Sequence, residues 1–314
     1  MASSTLVTGG DGFVGRHLVS RLIEENSKVV ILDNFASGSL NRVVKGAEVI
    51  IGDIRDKKIV RKAVDQVDQI VHLAARINIP ESIKDPKTTL SVNVDGTRNL
   101  LDEAKLSGVK GFVYASSCAV YGEAKYIPQD EKHPVAPISP YASSKLAAEG
   151  LCRDLSLTNG LNVTILRFFN IYGPGQKKGP YAGVIKNFLD KLRAARPIQI
   201  HGNGEQVRDF IFIEDVVDSI LRGLTLSEKP QRILNIGSGR ALSINQLASM
   251  CQTVAGTQEP IQHLDARPGD IERSCADTKL MRQVLTFSPR ISIEEGLKRT
   301  LLDTSSPNLT NHSS

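Results

Sequence analysis

The sequence predicts an α/β fold, a doubly wound parallel sheet covered by helices on both faces. Two observations lead to this prediction. Short apolar runs alternate with amphipathic stretches along the first half of the chain, and a glycine-rich turn joins the first run to a helical pattern. In that pattern Val14, Leu18 and Leu22 recur at the spacing of one helix face. Each strand–helix–strand unit is expected to cross over in the right-handed sense.

Six strands are predicted in order at residues 4–8, 28–33, 48–52, 69–73, 111–116 and 162–167, with long helices at 90–106 and 140–158. The pattern changes after about residue 168, where Gly173-Pro-Gly175 and Lys177-Lys-Gly-Pro180 interrupt it. Later strands are predicted at 210–213 and 233–236, with a helix at about Asp215. We expect a nucleotide-binding domain at 1–167, rejoined by segments near 210–237. A smaller, interleaved C-terminal lobe would occupy 168–209 and 238–304, and 305–314 would be a disordered polar tail.

Composition narrows the class of protein. A chain of 314 residues with 40% apolar and 23% charged residues can bury a large core. No apolar run reaches the ~18 residues of a membrane helix, and no signal peptide is visible. A net charge of +5 without a Lys/Arg block argues against nucleic acid and suits anionic small molecules. The four cysteines lack C-x-x-C spacing, so we expect no metal site and a reducing, cytoplasmic location.

The glycine-rich turn predicts a dinucleotide site. Gly9, Gly12 and Gly15 follow the first predicted strand and open a helix. Glycines permit a tight turn and let backbone N–H groups approach a pyrophosphate, which the helix N-terminus also favours. Asp33 ends the second predicted strand, where a carboxylate binds ribose hydroxyls and repels a 2′-phosphate. The fold is therefore predicted to be of the Rossmann type, with NAD preferred over NADP.

The ends of later strands are expected to lie at the same edge, because ligands bind beyond the carboxyl ends of parallel strands. Asp53 closes the third predicted strand. Leu73-Ala74-Ala75 closes the fourth, where small residues permit close approach of a flat cofactor.

Tyr141 and Lys145 predict acid/base chemistry. They are four residues apart on a predicted helix and therefore share one face. A free phenol has a pKa of ~10, and a nearby ammonium is expected to lower it. Ser117 follows the fifth predicted strand, where its hydroxyl could bind the same substrate oxygen as Tyr141. The pair would then take a proton from a sugar hydroxyl.

These residues carry a resemblance to the extended short-chain dehydrogenases/reductases, in their branch of NAD-dependent nucleotide-sugar epimerases and dehydratases. It extends from Thr8 to about residue 300. The matching segments are TGGDGFVG (8–15), DNFASG (33–38), HLAA (72–75), SSCAVYG (116–122), YASSK (141–145), LRFFNIYGPGQ (166–176), GNGEQVRDF (202–210) and RPGD (267–270).

The resemblance implies roles for individual residues. Ser117, Tyr141 and Lys145 would be catalytic. The residues implied to hold NAD are Gly9, Gly12, Phe13, Val14, Gly15, Asp33, Asn34, Ser37, Gly38, Asp53, Ile54, Leu73, Ala74, Ala75, Asn93, Tyr141, Lys145 and Phe168. The residues implied to bind a nucleotide-sugar substrate are Ser117, Asn170, Arg208, Arg267, Asp270 and Ser274. Arginine side chains suit a diphosphate because they form forked, charge-assisted hydrogen bonds.

The residues after Ser117 select among the reactions of this branch. Dehydratases of the branch place an Asp-Glu pair where this chain has Cys118-Ala119, and decarboxylases place a carboxylate nearby, whereas here none precedes Glu123. A reductase group pairs a cysteine in the place of Cys118 with a later histidine, and residues 181–184 contain none. We therefore expect Cys118 to be a packed residue and the reaction to be 4-epimerisation through a 4-keto intermediate.

The sugar is predicted from the size of Ser274. In the family, a bulky aromatic residue at this position accompanies glucose/galactose enzymes, and a small residue accompanies enzymes that admit N-acetylated sugars. We expect UDP-N-acetylglucosamine/galactosamine, UDP-glucose/galactose, or both. Arg76 and Asn78 replace the usual residues of their segment, so a UDP-uronic acid 4-epimerase remains an alternative, as does another nucleotide-sugar dehydratase, decarboxylase or reductase. A non-catalytic NAD-binding sensor is the second alternative. The resemblance also implies a homodimer formed through the helices at 90–106 and 141–158.

Overall fold

The computed structural model describes residues 3–36, 43–65, 67–176, 183–226, 231–267 and 269–303. Within these ranges the strands are β1 (Ser4–Thr8), β2 (Lys28–Asp33), β3 (Glu48–Ile51), β4 (Gln69–His72), β5 (Gly111–Ser117), β6 (Asn162–Phe168), β7 (Asn170–Tyr172), β8 (Ile198–His201), β9 (Val207–Phe212), β10 (Gln231–Ile236), β11 (Ala241–Ser243) and β12 (Ile261–Leu264). The α-helices are α1 (Phe13–Glu24), α2 (Lys57–Val64), α3 (Ile79–Lys84), α4 (Pro86–Leu90), α5 (Gly96–Leu106), α6 (Pro140–Asn159), α7 (Val184–Arg193), α8 (Ile213–Leu224), α9 (Ile244–Ala255), α10 (Lys279–Leu285) and α11 (Ile293–Leu302).

Seven strands form the central sheet in the order β10-β6-β5-β4-β1-β2-β3. Every neighbouring pair in it is parallel. The predicted doubly wound parallel sheet is therefore confirmed, and the six strands of the first half lie within one residue of their predicted bounds. Because all seven strands run the same way, their carboxyl ends share one edge, and the residues predicted to bind ligands follow those ends.

Alternate side chains of each central strand enter two separate cores. Leu6 of β1 packs with Leu32 and Phe112 beneath α2, α5 and α6. Its neighbour Val7 packs on the opposite face with Ile31, beneath α1 and α8. Burial of one such side chain contributes roughly 1.5–3 kcal/mol. Because the sheet is apolar on both faces, polar side chains are left mainly to the strand ends.

The C-terminal segments build two small sheets, β11-β9-β7 and β12-β8. They share a third core with α7, α9 and α11. The predicted strand at 210–213 coincides with β9 except for Ile213, which begins α8. The predicted strand at 233–236 lies in β10, which returns to the central sheet. The chain thus passes between the large sheet and the small ones more than once. The lobe boundaries stay a prediction, and residues 177–182 and 304–314 lie outside the described residues.

The helix predicted over 90–106 is not uniformly α-helical, and that prediction is corrected here. Residues Ser91–Asp95 form a π-helical turn between α4 and α5. The wider turn accommodates one extra residue and shifts the register of the helix faces. Asn93, in the middle of this turn, is buried, and its contacts are described below. The helix predicted over 140–158 is confirmed as α6.

No helix in the described parts of the chain is both long enough and apolar enough to span a membrane. In those same parts, His, Cys, Asp and Glu side chains do not form a group of three that could hold a metal ion.

Candidate active site

The glycine turn is shaped by close contacts between backbones. Gly9 has φ +71°, and a Cβ placed on it would lie 2.7 Å from the backbone nitrogen of Ala74. A Cβ on Gly15 would lie 2.2 Å from the Gly9 carbonyl oxygen. Gly12 is the N-cap of α1 and supplies no side-chain hydrogen bond to its first turn. The first N–H groups of α1, at Phe13 and Val14, therefore remain available to an anion, as a pyrophosphate site requires.

Asp33 stands at the end of β2, directly beside this turn. Its Oδ2 accepts a hydrogen bond from the backbone N–H of Asp11 at 3.0 Å, and its Oδ1 accepts one from Phe35 at 2.8 Å. These bonds orient the carboxylate next to the glycine turn. A carboxylate held there suits ribose hydroxyls and opposes a 2′-phosphate.

Three further cofactor candidates follow β2 and β3. Asn34 Nδ2 donates to Asp53 Oδ2 at 3.4 Å, and Arg55 Nη2 lies 2.7 Å from the same oxygen. Hydrogen bonds from Arg55 lower the pKa of Asp53, so this carboxylate is charged. Ile54 is buried, with its side chain filling the space beside Gly96. The candidates Ser37 and Gly38 lie outside the described residues.

The segment after β4 lies against the glycine turn. The backbone N–H groups of Leu73 and Ala74 donate to the carbonyl and hydroxyl oxygens of Thr8, at 3.1 and 3.2 Å. Leu73, Ala74 and Ala75 are all partly exposed. His72 is buried beneath them, and burial together with the charge of Lys145 lowers its pKa to about 3. Its ring is therefore neutral and joins Thr8 through a 2.7 Å hydrogen bond.

Ser117, Tyr141 and Lys145 are brought together at this edge. Ser117 is the last residue of β5, and its hydroxyl lies close enough to the Tyr141 phenol to lower the pKa of that phenol. Lys145 is buried, and its Nζ donates to the Ala115 carbonyl at 2.8 Å and lies 5.0 Å from the centre of the Tyr114 ring. Pro140 is the first residue of α6 and Ser139 caps the helix. Both acid/base candidates therefore lie in its first two turns.

Burial decides the protonation of this pair. It raises the pKa of Tyr141 to about 12, against the hydrogen bond from Ser117, which lowers it. It lowers the pKa of Lys145 to about 8. The expectation that the ammonium lowers the pKa of Tyr141 is therefore wrong, because the desolvation of the phenol raises this pKa by more.

Asn93 joins the segment after β4 to α6. Its Oδ1 accepts from the backbone N–H of Arg76 at 2.8 Å. Its Nδ2 donates to the Arg76 carbonyl at 3.0 Å and to Ser144 Oγ at 2.9 Å. Both N–H bonds of the amide are thus used within the protein. The predicted contact of Asn93 with the cofactor stays a prediction.

The predicted substrate residues come from β7, β9 and the segment 267–274. Arg208 Nη2 lies 2.6 Å from Asp270 Oδ1. Asn170 Nδ2 donates to the Asp209 carbonyl at 2.8 Å. Ser274 is buried and its N–H donates to the Val207 carbonyl at 3.1 Å. Two more predicted residues flank them, with Arg267 exposed and Phe168 buried.

Cys118 directly follows Ser117 and lies beside two of the predicted substrate residues, Ser274 and Arg208. It begins the 3₁₀ turn Cys118–Tyr121 and is half-buried. Burial raises the pKa of its thiol to about 11, against the neighbouring Ser274 hydroxyl and the charge of Arg208, which lower it. A thiol with that pKa is neutral at physiological pH. Its packing against Val120 and Tyr121 agrees with the prediction of a packed residue.

Glu123, the first carboxylate after Ser117, is already engaged. It accepts hydrogen bonds from the backbone N–H groups of Glu272 at 2.7 Å and Arg273 at 3.2 Å. It therefore anchors the segment 267–274 to the loop after β5. Such an anchoring role leaves the positions next to Ser117 without a free carboxylate.

Arg76 and Asn78 have partners within the protein. The Arg76 guanidinium lies 3.2 Å from Asp85 and 3.6 Å from Glu81. Asn78 caps α3, its Oδ1 accepting from the N–H of Glu81 at 2.9 Å. The charge of Arg76 is thus balanced by two carboxylates.

Sequence reasoning missed three residues behind this site. Ser116, which ends the fifth predicted strand and has no predicted role there, is buried in β5 and donates to Glu149 at 2.5 Å. Glu149 also pairs with Arg167 at 2.6 Å. A signal existed, because Tyr141, Lys145 and Glu149 repeat every four residues on α6 and Arg167 interrupts an apolar strand.

Comparisons with known proteins agree with this geometry. Residues 5–237 match the model of the NAD-dependent epimerase/dehydratase family. The UDP-glucose 4-epimerase of Mycolicibacterium smegmatis is 34% identical over 304 residues, covering 95% of this chain and 97% of the relative. The UDP-N-acetyl-alpha-D-glucosaminuronate decarboxylase of Bacillus cytotoxicus is 33% identical over 316 residues, covering 96% and 97%. The structure of the UDP-N-acetylglucosamine 4-epimerase of Methanobrevibacter ruminantium has a TM-score of 0.91 at 32% identity, covering 96% of this chain and 97% of that one.

Proposed function

The chain belongs to the NAD-dependent epimerase/dehydratase family, and from this premise we propose that it is a 4-epimerase of UDP-sugars. One observation carries the proposal. Ser117, Tyr141 and Lys145 converge at the carboxyl edge of the sheet, while the two positions after Ser117 hold a neutral thiol and an alanine. The site can thus move a proton at one sugar hydroxyl, and the described positions next to Ser117 supply no second acid or base.

The residues present fit NAD. The glycine turn leaves room only for backbone, the first turn of α1 has free N–H groups, and Asp33 stands where the adenosine ribose would lie. When bound, NAD supplies a hydride acceptor that returns the hydride within the same turnover. Leu73, Ala74 and Ala75 would form the wall beside it, and Phe168 would close the site from β6.

Tyr141 is the proton-transfer residue in this proposal. Its phenolate would take the proton of the sugar 4-hydroxyl, with the Ser117 hydroxyl bound to the same oxygen. The Lys145 ammonium would favour the phenolate once substrate and cofactor have displaced water from the site. After the planar 4-keto sugar turns over in the site, Tyr141 would return the proton to the oxygen on the other face.

The substrate's diphosphate would lie between β9 and the segment 267–274. Arg208 and Arg267 would bind it through charge-assisted hydrogen bonds, and Asn170 would contribute an amide. Asp270 orients Arg208 through the 2.6 Å contact. The small, buried Ser274 leaves space for an acetamido group, which favours UDP-N-acetylglucosamine/galactosamine in addition to UDP-glucose/galactose.

Two related reactions are less well supported. A decarboxylase or dehydratase needs a carboxylate near Ser117, and the nearest one along the chain, Glu123, holds the backbone of Glu272 and Arg273. A uronic acid epimerase would use Arg76 to bind the sugar carboxylate, yet Arg76 is already neutralised by Asp85 and Glu81. Retention of the Tyr141–Lys145 pair argues against a non-catalytic NAD sensor.

We further propose a cytoplasmic homodimer. The described cysteines are all free thiols, as expected in a reducing compartment. A surface groove runs between α5 and α6, lined by Leu101, Leu151 and Leu155, and Leu157 beside it is 70% exposed. A second copy of this chain would cover the exposed parts of Leu151, Leu155 and Leu157. Light scattering of the purified protein should give twice the mass of the chain.

The decisive experiment is product analysis by NMR with a panel of UDP-sugars. We expect interconversion of UDP-N-acetylglucosamine with UDP-N-acetylgalactosamine, of UDP-glucose with UDP-galactose, or of both pairs, without change of mass. A 6-deoxy-4-keto product, release of CO₂, epimerisation confined to UDP-uronic acids, or no reaction at all would contradict the proposal. Ser274→Tyr should then selectively abolish activity on the N-acetylated pair.

A further inference from the structure

Glu149 and Arg167 form a buried ion pair directly behind the proposed catalytic residues. Arg167 Nε donates to Glu149 Oε1 at 2.9 Å, and Arg167 Nη2 donates to Glu149 Oε2 at 2.6 Å. Only 2% of the Glu149 side chain and 5% of the Arg167 side chain are exposed. Ser116 Oγ donates to Glu149 Oε1 at 2.5 Å. One carboxylate thus receives three hydrogen bonds in a place from which water is excluded.

The position of Glu149 connects the two elements that build the site. On α6 it follows Lys145 by one turn and Tyr141 by two, so the three side chains lie along one face. On β5 its partner Ser116 immediately precedes Ser117. The Glu149 carboxylate therefore ties the helix that carries the acid/base pair to the strand end that carries the serine.

Arg167 extends the connection to the turn after Ser117. Its guanidinium lies 4.8 Å from the centre of the Tyr121 ring. The Tyr121 hydroxyl donates to Asn235 Oδ1 on β10 at 2.6 Å. In the sheet, Arg167 lies in register with Ser116. The polar cluster therefore reaches three neighbouring strands at the edge where substrate and cofactor would meet.

The stability of the folded protein does not explain why a buried ion pair is present here. Removing two charges from water costs several kcal/mol per ion, and apolar replacements of similar volume often leave a protein equally stable. A forked Arg–carboxylate pair instead fixes the relative orientation of its two side chains, because both hydrogen bonds form only in one mutual arrangement. That property matters where a helix must be held in register with a strand.

We propose that Glu149 is a positioning residue for proton transfer, which holds α6 against β5 so that Tyr141 and Lys145 face Ser117. The inference rests on the proposed function and assigns a task within it to a residue that does not touch substrate. A displacement of about 1 Å in such a site can cost on the order of a hundredfold in rate.

The negative charge of Glu149 also affects the pKa of Lys145. The groups that face Lys145 are Tyr141, Glu149 and Cys152 on α6, Tyr114 on β5 and His72 on β4, with Arg167 of β6 behind Glu149. Burial raises the pKa of the phenols and thiol and lowers that of His72, so these four groups are neutral. The Glu149 charge therefore opposes the desolvation that lowers the pKa of Lys145 to about 8.

The test compares Glu149→Gln with the wild-type enzyme. We expect kcat to fall about 10–100-fold with the NAD content unchanged, and the alkaline limb of the kcat profile to move to lower pH. Glu103→Gln is the matched control, since it breaks another buried carboxylate's pair, with Arg61, away from the site. It should leave kcat and its pH profile as in the wild type. A Glu149→Gln enzyme with wild-type kcat and pH profile would overturn the inference.

A second readout does not depend on turnover. In protein labelled with ¹³C-lysine, the signal that disappears in Lys145→Ala reports the titration of Lys145, and its midpoint should be lower in Glu149→Gln. An unchanged midpoint would overturn the inference. If the wild type itself interconverts no UDP-sugar, the proposed function fails, and the titration still judges the role of Glu149.

An apolar double variant separates positioning from stability. Glu149→Leu combined with Arg167→Met removes both charges, so the melting temperature should stay near that of the wild type, while kcat stays low. Recovery of both melting temperature and kcat would mean that the pair has only a structural role. Ser116→Ala keeps the charge and removes one hydrogen bond, so it should lower kcat a few-fold without moving the pH profile.

Discussion

The two ends of the site are built in different ways. The proposed cofactor end comprises Gly9–Gly15, Asp33 and the segment 73–75, at the ends of neighbouring strands. Backbone groups and the space allowed to a Cβ determine the shape of its glycine turn, and Asp33 adds a carboxylate side chain. The proposed substrate end, comprising Asn170, Arg208, Asp270 and Ser274, is formed by side chains from three segments that are far apart in sequence. The shape of the glycine turn changes when a glycine is lost, whereas a site lined by side chains changes with each substitution. This difference explains how one scaffold keeps its cofactor while its substrate varies.

Tyr141 lies where the two ends meet, and its loss should have the largest effect. Tyr141→Phe removes the group that exchanges a proton with the sugar, so kcat should fall about 10²–10⁴-fold. NAD content and the affinity for UDP should not change, because neither end is altered. Steady-state kinetics and cofactor release after denaturation measure both.

The exposed Tyr126, whose hydroxyl donates to Asp130, provides the control for that substitution. Tyr126→Phe should retain full activity. A Tyr141→Phe enzyme that turns over as fast as Tyr126→Phe would contradict the assignment of the base.

NAD binding at the cofactor end should weaken when a side chain is added to the glycine turn. In Gly15→Ala the new Cβ would lie 2.2 Å from the Gly9 carbonyl oxygen, so the turn or α1 must move. NAD affinity should fall at least tenfold, as measured by fluorescence titration. Gly150→Ala is the control, since a Cβ there meets nothing within 4 Å. Equal NAD affinity in both variants would mean that the turn does not hold the cofactor.

A substitution at the substrate end should raise the KM for the UDP-sugar and leave NAD binding unchanged. Arg208→Met removes a forked cation, so KM for the UDP-sugar should rise about tenfold or more, as expected for loss of a hydrogen bond to a charged group. Lys279→Met provides a control, since Lys279 is an exposed cation. An unchanged KM in Arg208→Met, or a loss of NAD affinity instead, would place the diphosphate elsewhere.

The smallest expected effect is on the free energy of unfolding, which the loss of the buried Lys145 ammonium should increase rather than decrease. The pKa of Lys145 is lowered from 10.5 to about 8 in the folded protein. Between these values the unfolded chain binds more protons than the folded one, so this group makes stability rise with pH across that window. Below pH 8 the buried ammonium is destabilising. Lys145→Met should therefore raise stability at pH 7 by about 1–2 kcal/mol, net of the lost hydrogen bond to Ala115.

Urea denaturation at pH 7 and pH 9.5 tests this sign. The gain from Lys145→Met should be largest at pH 7 and smaller at pH 9.5, while activity is lost at both. A destabilised Lys145→Met protein at pH 7 would mean that its contacts with Ala115 and Tyr114 outweigh the desolvation of the charge.

Much of this protein could be predicted from sequence where the relevant signal is local. The six strands of the first half, the glycine turn, Asp33 at a strand end and the Tyr141–Lys145 spacing are all periodic or adjacent patterns, and parallel strands bring their ends to one edge. Family membership followed from ordered short segments for the same reason. Local pattern thus determined the fold class and the enzyme family, and the residues of the cofactor end stay a prediction.

The tertiary structure alone decided the features that depend on burial and on long-range contact. In the folded chain Glu149 pairs with Arg167, and Glu123 accepts hydrogen bonds from the segment 267–274. Arg76 pairs with two carboxylates that balance its charge. Burial also raises the pKa of Tyr141 where the sequence predicted lowering. Desolvation and pairing are set by neighbours from distant parts of the chain, which no periodicity records. The sequence by itself determined which groups this protein has for its chemistry, and the packing of the chain decided their charge and their partners.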